Sequence, residues 1–224
     1  MQWSEGGIEA AISSDAAPHP AYARLAESYD IIPIDDLTTL DLSSFPMLLL
    51  AQPRALSPEE FTRLDAWVRR GGQLLVLADP ALQWGSLYSI GDKRRPLFTS
   101  LLSPLFSHWG IELVLPITEK APLVEVDIDG RQIRTQTLGA WQVTGDDANA
   151  SCVIEESYVV ADCRIGKGRV LLVADADFLD AAYWQGQGLR SVVGGDTFDN
   201  MTWVQALLSV LRADDENRRD FLGE

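Results

Sequence analysis

Three short apolar runs stand out in the hydrophobic pattern of the chain. They lie at residues 47–51, 74–78 and 170–174, and their apolar residues follow one another without alternation. Consecutive apolar residues over this length are typical of strands that are covered on both faces of a sheet. We therefore predict that the three runs are strands of one buried sheet.

The segment between the first two runs predicts an amphipathic helix. Ser57 and Glu60 have the spacing of a capping box, and Pro58 stands at the first helical position. Apolar residues at helical spacing mark a buried face, and a glycine pair at positions 71 and 72 ends the helix. A strand, a helix and a second strand in this succession form a βαβ unit, and its crossover makes the two strands parallel.

Weaker patterns predict three more helices and two more strands. The helices are expected at residues 20–29, 96–109 and 198–212, the second of them kinked at a proline, and the strands at residues 31–34 and 111–116. Residues 213–224 are charged and are expected to form a loosely held tail, and residues 1–19 a lead-in. Residues 20–212 are therefore expected to form a single α/β domain.

The middle of the chain has a different pattern. Apolar and polar residues alternate over residues 123–137 around Asp129 and Gly130, which is a hairpin signal. Residues 152–173 predict further strands that turn at a Gly-Lys-Gly sequence. We therefore expect residues 111–165 to be an antiparallel extension of a doubly wound sheet.

Charge and hydropathy limit the partners and the location. The 224-residue chain has a formal net charge of −15, which repels polyanions, so no nucleic-acid partner is expected. No apolar run reaches the roughly 18 residues of a membrane span, and the first residues lack the regions of a signal peptide. The chain as given is expected to be a soluble domain, located on the extracytoplasmic face if it is an excised ectodomain and in the cytoplasm otherwise.

The two cysteines do not define a metal or redox motif. Cys152 and Cys163 flank a predicted hairpin, so they could face each other on neighbouring strands or never meet. Their spacing does not resemble a C-x-x-C pair. We interpret them as small buried apolar residues.

Carboxylates follow two of the apolar runs. Asp79 ends one run, and Asp175 and Asp177 end another. Ligands of doubly wound sheets bind outside the carboxyl ends of the strands, and side chains two positions apart on extended backbone point the same way, so the latter pair could hold a hard cation such as Mg²⁺. Aspartate also ends strands and caps turns, which is the structural interpretation we favour.

Nucleophilic catalysis has little support in the sequence. The turn after the second run offers Asp79 and Pro80 where a nucleophile elbow needs serine or cysteine. Four aromatic residues in predicted loops near the strand ends could contact a saccharide or a protein, although packing under a loop is the commoner role: Trp84, Trp141, Tyr183 and Trp184.

Two stretches resemble a known family. Residues 48–80, LLLAQPRALSPEEFTRLDAWVRRGGQLLVLADP, are similar to the auxiliary domain of uncharacterised ABC-type transport systems, the group that includes the gliding-motility-associated component. The sequences GKGRVLLVADADFLD and DNMTWVQALLSVL resemble a second hallmark of that family, a strand ending in D-x-D-F and an Asn-led C-terminal helix. The resemblance implies a flavodoxin-like fold of the class I glutamine amidotransferase-like type, without the cysteine of the glutaminases.

These observations favour a non-catalytic binding or scaffolding domain. The resemblance implies an accessory component of an ABC-type transport or cell-envelope system, with transporter subunits or other envelope proteins as partners and a saccharide-like ligand as an option. No cofactor is expected beyond the weak possibility of a divalent cation. The alternative is a metal-dependent, hydrolase-like enzyme centred on Asp79, Asp175 and Asp177, which requires these carboxylates to converge in a cleft.

Overall fold

The central element of the protein is a mixed five-stranded sheet, seen here in a computed structural model. The model describes residues 19–85, 89–92, 95–116, 123–145, 150–185 and 198–222, with side chains up to residue 215. The predicted lead-in therefore lies almost entirely outside the described residues. These residues contain nine strands: β1 Met47–Ala51, β2 Gln73–Leu77, β3 Ile111–Val114, β4 Val124–Ile128, β5 Arg131–Thr135, β6 Ala140–Val143, β7 Ala150–Ile154, β8 Val160–Ile165 and β9 Gly168–Val173.

The order of the main sheet is β1-β2-β9-β8-β7. Strands β1, β2 and β9 are parallel, as the βαβ pattern predicts for the first two, whereas β8 and β7 continue the sheet in antiparallel orientation. The α/β class is thus confirmed. The three consecutive apolar runs of the sequence are the three parallel strands.

Five α-helices accompany the strands in the described part of the chain: α1 Pro20–Ala26, α2 Pro58–Arg69, α3 Ser103–His108, α4 Ala181–Trp184 and α5 Asn200–Leu222. The capping box of α2 is present, since the Ser57 hydroxyl accepts from the Glu60 N–H at 3.2 Å and the Glu60 carboxylate accepts from the Ser57 N–H at 2.8 Å. Helix α5 continues to Leu222, ten residues beyond the end predicted from its pattern.

Two hydrophobic clusters cover the two faces of the sheet. Helix α2 packs through Leu64, Trp67 and Val68 on the face that carries Leu74 and Val76. Helices α1 and α5 pack on the opposite face with the alternate strand residues, among them Leu75 and Leu77. Burial on both sides explains why the strand sequences are apolar without alternation.

One predicted element is absent from the described residues, and another is shorter than predicted. Residues 31–34 are not a strand, because no backbone hydrogen bond joins them to a neighbouring strand in the described structure. Residues 96–102 are irregular, and only Ser103–His108 is helical, with Pro104 in the first turn rather than at a kink. Proline is compatible with the first turn because its missing N–H has no partner to lose there.

The prediction for the middle of the chain is partly wrong. Only the hairpin of β7 and β8 extends the main sheet, whereas β3 pairs with β6 and β4 pairs with β5 in two separate two-stranded sheets. The hairpin turn at Asp129 and Gly130 is confirmed, and both residues have the positive φ angles that this turn requires. Alternation identifies strands, but it does not identify their neighbours.

The two cysteines form a disulfide, in contrast to our interpretation of them as separate apolar residues. Cys152 on β7 lies directly opposite Cys163 on β8, with their Cα atoms 4.0 Å apart. The hairpin pattern left this pairing open, because the register between two strands is fixed only when their turn is known. The bond links the outermost strand of the main sheet to its neighbour.

Replacing Gly168 by alanine should destabilise the protein by about 1–3 kcal/mol, as overpacking does elsewhere. A Cβ atom at this position would overlap the carbonyl oxygen of Val68 and lie 2.5 Å from that of Gly72, where the end of α2 meets the start of β9. Urea denaturation measures the change. Gly145→Ala is the matched control because its Cβ would meet nothing within 4 Å, and equal losses in both variants would contradict the packing argument.

Candidate functional site

Asp79, Asp175 and Asp177 converge at the carboxyl ends of β2 and β9. One carboxylate oxygen from each residue lies within 4.8 Å of those of the other two, and all three residues are fully buried. The strand pairing brings them together, because β2 and β9 are parallel neighbours and Leu77 is in register with Val173. The convergence required by the enzyme alternative is therefore present, and in the described part of the chain the three residues have no solvent-exposed surface.

Backbone N–H groups bind both oxygens of Asp79. Its Oδ1 accepts from the N–H of Ala81 at 2.7 Å, and its Oδ2 accepts from the N–H of Ala176 at 3.1 Å. The first bond closes the turn after β2, and the second joins this turn to the one after β9. Asp79 thus ties together the ends of two neighbouring strands.

Asp175 is bound by two groups, and Asp177 by one. Thr135 donates its hydroxyl to Asp175 Oδ2 at 2.6 Å, and the N–H of Phe178 donates to Oδ1 at 3.3 Å. The N–H of Gln83 donates to Asp177 Oδ2 at 3.2 Å, whereas the buried Oδ1 of Asp177 has no partner among the described residues. Five of the six carboxylate oxygens therefore already accept a hydrogen bond.

Burial determines the protonation of this cluster. Desolvation raises the pKa of Asp79 to about 6 despite its backbone N–H donors, and raises the pKa of Asp177 to about 8 with a contribution from the nearby Asp79 charge. The pKa of Asp175 is raised well above its usual value by burial and by its two acidic neighbours. Asp79, whose carboxylate is stabilised by two N–H groups, therefore ionises at a lower pH than Asp177.

The geometry permits a cation but restricts access to it. Oxygen ligands on opposite sides of a Ca²⁺ ion can be nearly 5 Å apart, so the spacing of the cluster is compatible with a hard cation. A substrate would have to reach carboxylates that are sealed by the turns after β2 and β9. A general base or a metal that acts on a substrate needs contact with it, so catalysis at this cluster would require these turns to open.

Sequence reasoning did not identify the partners of the cluster. Thr135 comes from the hairpin of β4 and β5, and the Gln52 side chain fixes the strand end by accepting from the Asp79 N–H at 2.9 Å. Gln52 precedes the proline of LLLAQP as Asp79 precedes the proline of LLVLADP, so this repeat was the available signal for Gln52. No local pattern indicated Thr135.

The candidate aromatic residues differ in burial, and Trp141 is fully buried on β6 and not in the loop predicted for it. Tyr183 is buried, and burial together with the neighbouring carboxylates raises the pKa of its phenol. Trp184 is half-buried and donates its Nε1 hydrogen to the carbonyl of Leu179 at 3.3 Å. Trp84 is also half-buried, with its ring 5.0 Å from that of His19. Trp84 and Trp184 pack against the hydrophobic cluster that lies under α1 and α5.

Comparison with known protein families gives a match that includes residues 48–80, the stretch that carries the first resemblance. Residues 9–115 match the family described as ABC-type uncharacterized transport system. This match supports the auxiliary-domain resemblance and points to an accessory component of such a system. It covers just under half of the chain and ends before β9, so the second hallmark, around Asp175 and Asp177, lies outside it.

Solved structures with a similar fold differ widely in sequence. The exo-β-1,4-mannosidase Op5Man5 from Opitutaceae bacterium strain TAV5 has a TM-score of 0.51 and 17% identity over 84% of this chain. This chain spans 30% of the length of the mannosidase, and at such low identity the likeness concerns the fold alone.

Two further structures match with lower scores. The N-terminal domain of mmIFT52 has a TM-score of 0.41 and 15% identity over 70% of this chain and 78% of its own. The cytoplasmic protein STM3548 from Salmonella typhimurium has a TM-score of 0.39 and 16% identity over 84% of each chain. No curated protein sequence matches this chain.

None of the described helices combines the length and the apolar character that crossing a bilayer demands.

Proposed function

We propose that this protein is a non-catalytic binding domain that serves as an accessory component of an ABC-type transport or cell-envelope system, of the gliding-motility-associated type. The observation that carries the proposal is the enclosure of Asp79, Asp175 and Asp177, which are buried and already accept protein hydrogen bonds. The acidic groups best placed for chemistry are thus bound by groups of the protein itself. The family match over residues 9–115 supplies the biological setting.

The proposed fold type is flavodoxin-like and class I glutamine amidotransferase-like. Parallel strands β1, β2 and β9 with helices on both faces of the sheet support it. The turn after β2 carries Asp79 and Pro80 where a glutaminase of that fold would need its cysteine. A binding role on a scaffold without glutaminase chemistry is consistent with this turn.

The partner is proposed to be a membrane subunit of the transporter, and the contact to lie at the strand-end edge. Trp84 and Trp184 follow β2 and β9 and are half-buried, so part of each ring remains available there. Aromatic side chains with an exposed edge can contribute to protein or saccharide contacts. Tyr183 is buried and is not part of the proposed contact.

Co-purification from the native envelope tests this proposal. The tagged protein should recover the ATP-binding and permease subunits of one transporter, identified by mass spectrometry, and Trp84→Ala combined with Trp184→Ala should reduce the recovery. Val210→Ala is the matched control, because Val210 is an exposed apolar residue in the part of α5 that reaches the opposite edge of the sheet, where Asp214 accepts from the Gln73 side chain at the start of β2. Recovery of no transporter subunit would contradict the accessory function, whereas equal recovery by all variants would contradict only the location of the contact.

The sequence left two locations open, the extracytoplasmic face of the membrane and the cytoplasm. The disulfide favours the first. Disulfides persist in oxidising compartments and are rare in the cytoplasm. Cells that express the protein should therefore yield, after denaturation in alkylating buffer, a chain in which Cys152 and Cys163 react with maleimide only when a reductant has been added. Complete labelling without reductant would contradict the extracytoplasmic location.

A further inference from the structure

A largely apolar cavity of about 530 Å³ lies beside β1. Every residue of β1 lines it, together with residues 30–34, and Leu25 of α1 and Leu208 of α5 contribute from the helices. All of the lining residues belong to the described part of the chain. Small-molecule sites in proteins have volumes of about 300–1,000 Å³, so the cavity has the size of a ligand site.

The body of the cavity is long and lined by leucine, isoleucine, methionine and proline. Its lining continues from Pro46, which precedes β1, to Pro53, which follows it. The five residues of β1 span about 17 Å. One acyl chain spans half of the hydrocarbon core of a bilayer, which is about 15 Å. The body of the cavity therefore suits a single acyl chain that lies along the strand.

The polar residues of the lining lie together at one end. Gln73 is the first residue of β2, and its Nε2 donates to Asp214 of α5 at 3.4 Å. The neighbouring Asp215 also lines the cavity, as does Arg212, whose guanidinium lies 5.7 Å from the centre of the Tyr29 ring. The cavity thus has an apolar body and a polar end, which is the distribution of an amphiphilic ligand.

The oxygen of the Gln73 amide is a buried acceptor that needs a partner. Gln73 is only 1% exposed, and its Oε1 accepts no hydrogen bond from the residues that the structure describes. Its Nε2 is held by the Asp214 carboxylate, so the amide does not turn its N–H groups toward the ligand. A buried acceptor without a donor is costly. The complementary group of a ligand at this end is therefore a hydrogen-bond donor.

The charged residues of the lining select among amphiphiles. Two carboxylates, Asp30 and Asp215, line the cavity against the single guanidinium of Arg212. An ionised fatty acid would bring a third carboxylate and would have no proton to donate to Gln73. A neutral head group with hydroxyls donates to Gln73 without adding charge, so the polar end favours a hydroxyl over a carboxylate.

We propose that the cavity binds a single-chain lipid with a neutral, hydroxyl-bearing head group, of the monoacylglycerol class. The acyl chain lies along β1, and a head-group hydroxyl donates to Oε1 of Gln73. Asp30 and Arg212 are exposed, so the head group is at the end of the cavity that reaches solvent. The inference goes beyond the proposed function and does not depend on it, because neither Trp84 nor Trp184 lines the cavity.

Titration calorimetry of the full chain with monolaurin, below the concentration at which that lipid aggregates, tests the proposal. One molecule should bind per chain, and Gln73→Leu should weaken the binding about tenfold because it removes one hydrogen bond. Gln142→Leu is the matched control, since Gln142 is an exposed glutamine of β6 outside the lining. Lauric acid, which has the same chain and a carboxylate, should bind about tenfold more weakly than monolaurin and should not respond to Gln73→Leu.

A second variant, Leu49→Trp, tests the body of the cavity separately. Leu49 is half-buried in the lining, and a larger side chain there should abolish monolaurin binding while circular dichroism shows an intact fold. Absence of monolaurin binding to the wild type would show that the chain leaves no room for a lipid. Equal binding by wild type and Leu49→Trp would place the lipid elsewhere, and tighter binding of lauric acid would contradict the neutral head group. Each of these three results would overturn the proposal.

Discussion

Replacing Asp177 by asparagine should stabilise the protein, and the gain should increase as the pH rises from about 4 to about 8. Burial and the nearby charge of Asp79 raise the pKa of Asp177 to about 8, so ionisation favours the unfolded chain. Below the unfolded-state pKa near 3.8, Asp177 is protonated in both states and does not destabilise the wild type. As the pH rises from there to about 8, the unfolded chain ionises first, and the wild type loses folding stability. Asparagine is neutral throughout and keeps an oxygen that can accept from Gln83. Each pH unit is equivalent to about 1.4 kcal/mol, so a gain of roughly 2 kcal/mol or more is expected at pH 8.

Urea denaturation at pH 4, 6 and 8 in the presence of a chelator measures this effect. Asp35→Asn is the matched control, since Asp35 is exposed and its replacement should leave the pH dependence unchanged. Repeating the series with Mg²⁺, Mn²⁺ or Ca²⁺ in place of the chelator shows whether protons or metal ions neutralise the buried carboxylates. Stabilisation of the wild type by one of these ions, with loss of that effect in Asp177→Asn, would contradict the proton interpretation and revive the metal-dependent alternative.

Replacing Asn200 by alanine should cost on the order of 3 kcal/mol of unfolding free energy. Asn200 is fully buried at the start of α5, and its Oδ1 accepts from the Arg134 N–H at 3.1 Å. Its Nδ2 donates to the carbonyl of Arg134 at 2.7 Å and to that of Phe178 at 3.2 Å. Alanine would leave these backbone groups of β5 and of the turn after β9 without a partner, and each such loss costs about 1–3 kcal/mol.

Thermal and urea unfolding of Asn200→Ala and of Thr202→Ala provide the comparison. Thr202 lies on the exposed side of the same helix, and its replacement should change stability by less than about 0.5 kcal/mol. Because Asn200 joins β5 to the segment that carries Asp175 and Asp177, the amide exchange of Phe178 should also accelerate in Asn200→Ala. Similar stability of the two variants would show that water replaces the amide without penalty.

Local rules were sufficient for the centre of the fold. The capping residues Ser57 and Glu60 fixed the start of α2, and the apolar runs on either side of that helix required two parallel strands buried on both faces. Both inferences depend on contacts between residues that are close in sequence. Asp79 and Asp175 could be placed at strand ends for the same reason, and the parallel pairing of β2 and β9 explains why they meet.

The remainder depended on contacts between distant parts of the chain. Thr135 reaches Asp175 across 40 positions, and Gln52 reaches Asp79 across 27, so no sequence window contains both partners. The strand pattern at residues 31–34 expressed a preference for extended backbone, but a strand also needs a neighbour, and that neighbour is not determined by the pattern itself. The pairing of β3 with β6 escaped prediction for the same reason.

The disulfide gives the two edges of the main sheet different kinds of protection. At the β7 edge, the bond between directly opposed Cys152 and Cys163 prevents a one-residue slip of the hairpin, which would turn every side chain of β7 to the other face. It also prevents β7 from leaving β8 to pair with another molecule. The β1 edge has no covalent lock. Strand exchange between molecules, and the aggregation that follows from it, should therefore start at β1 and spare β7 for as long as the cysteines stay oxidised.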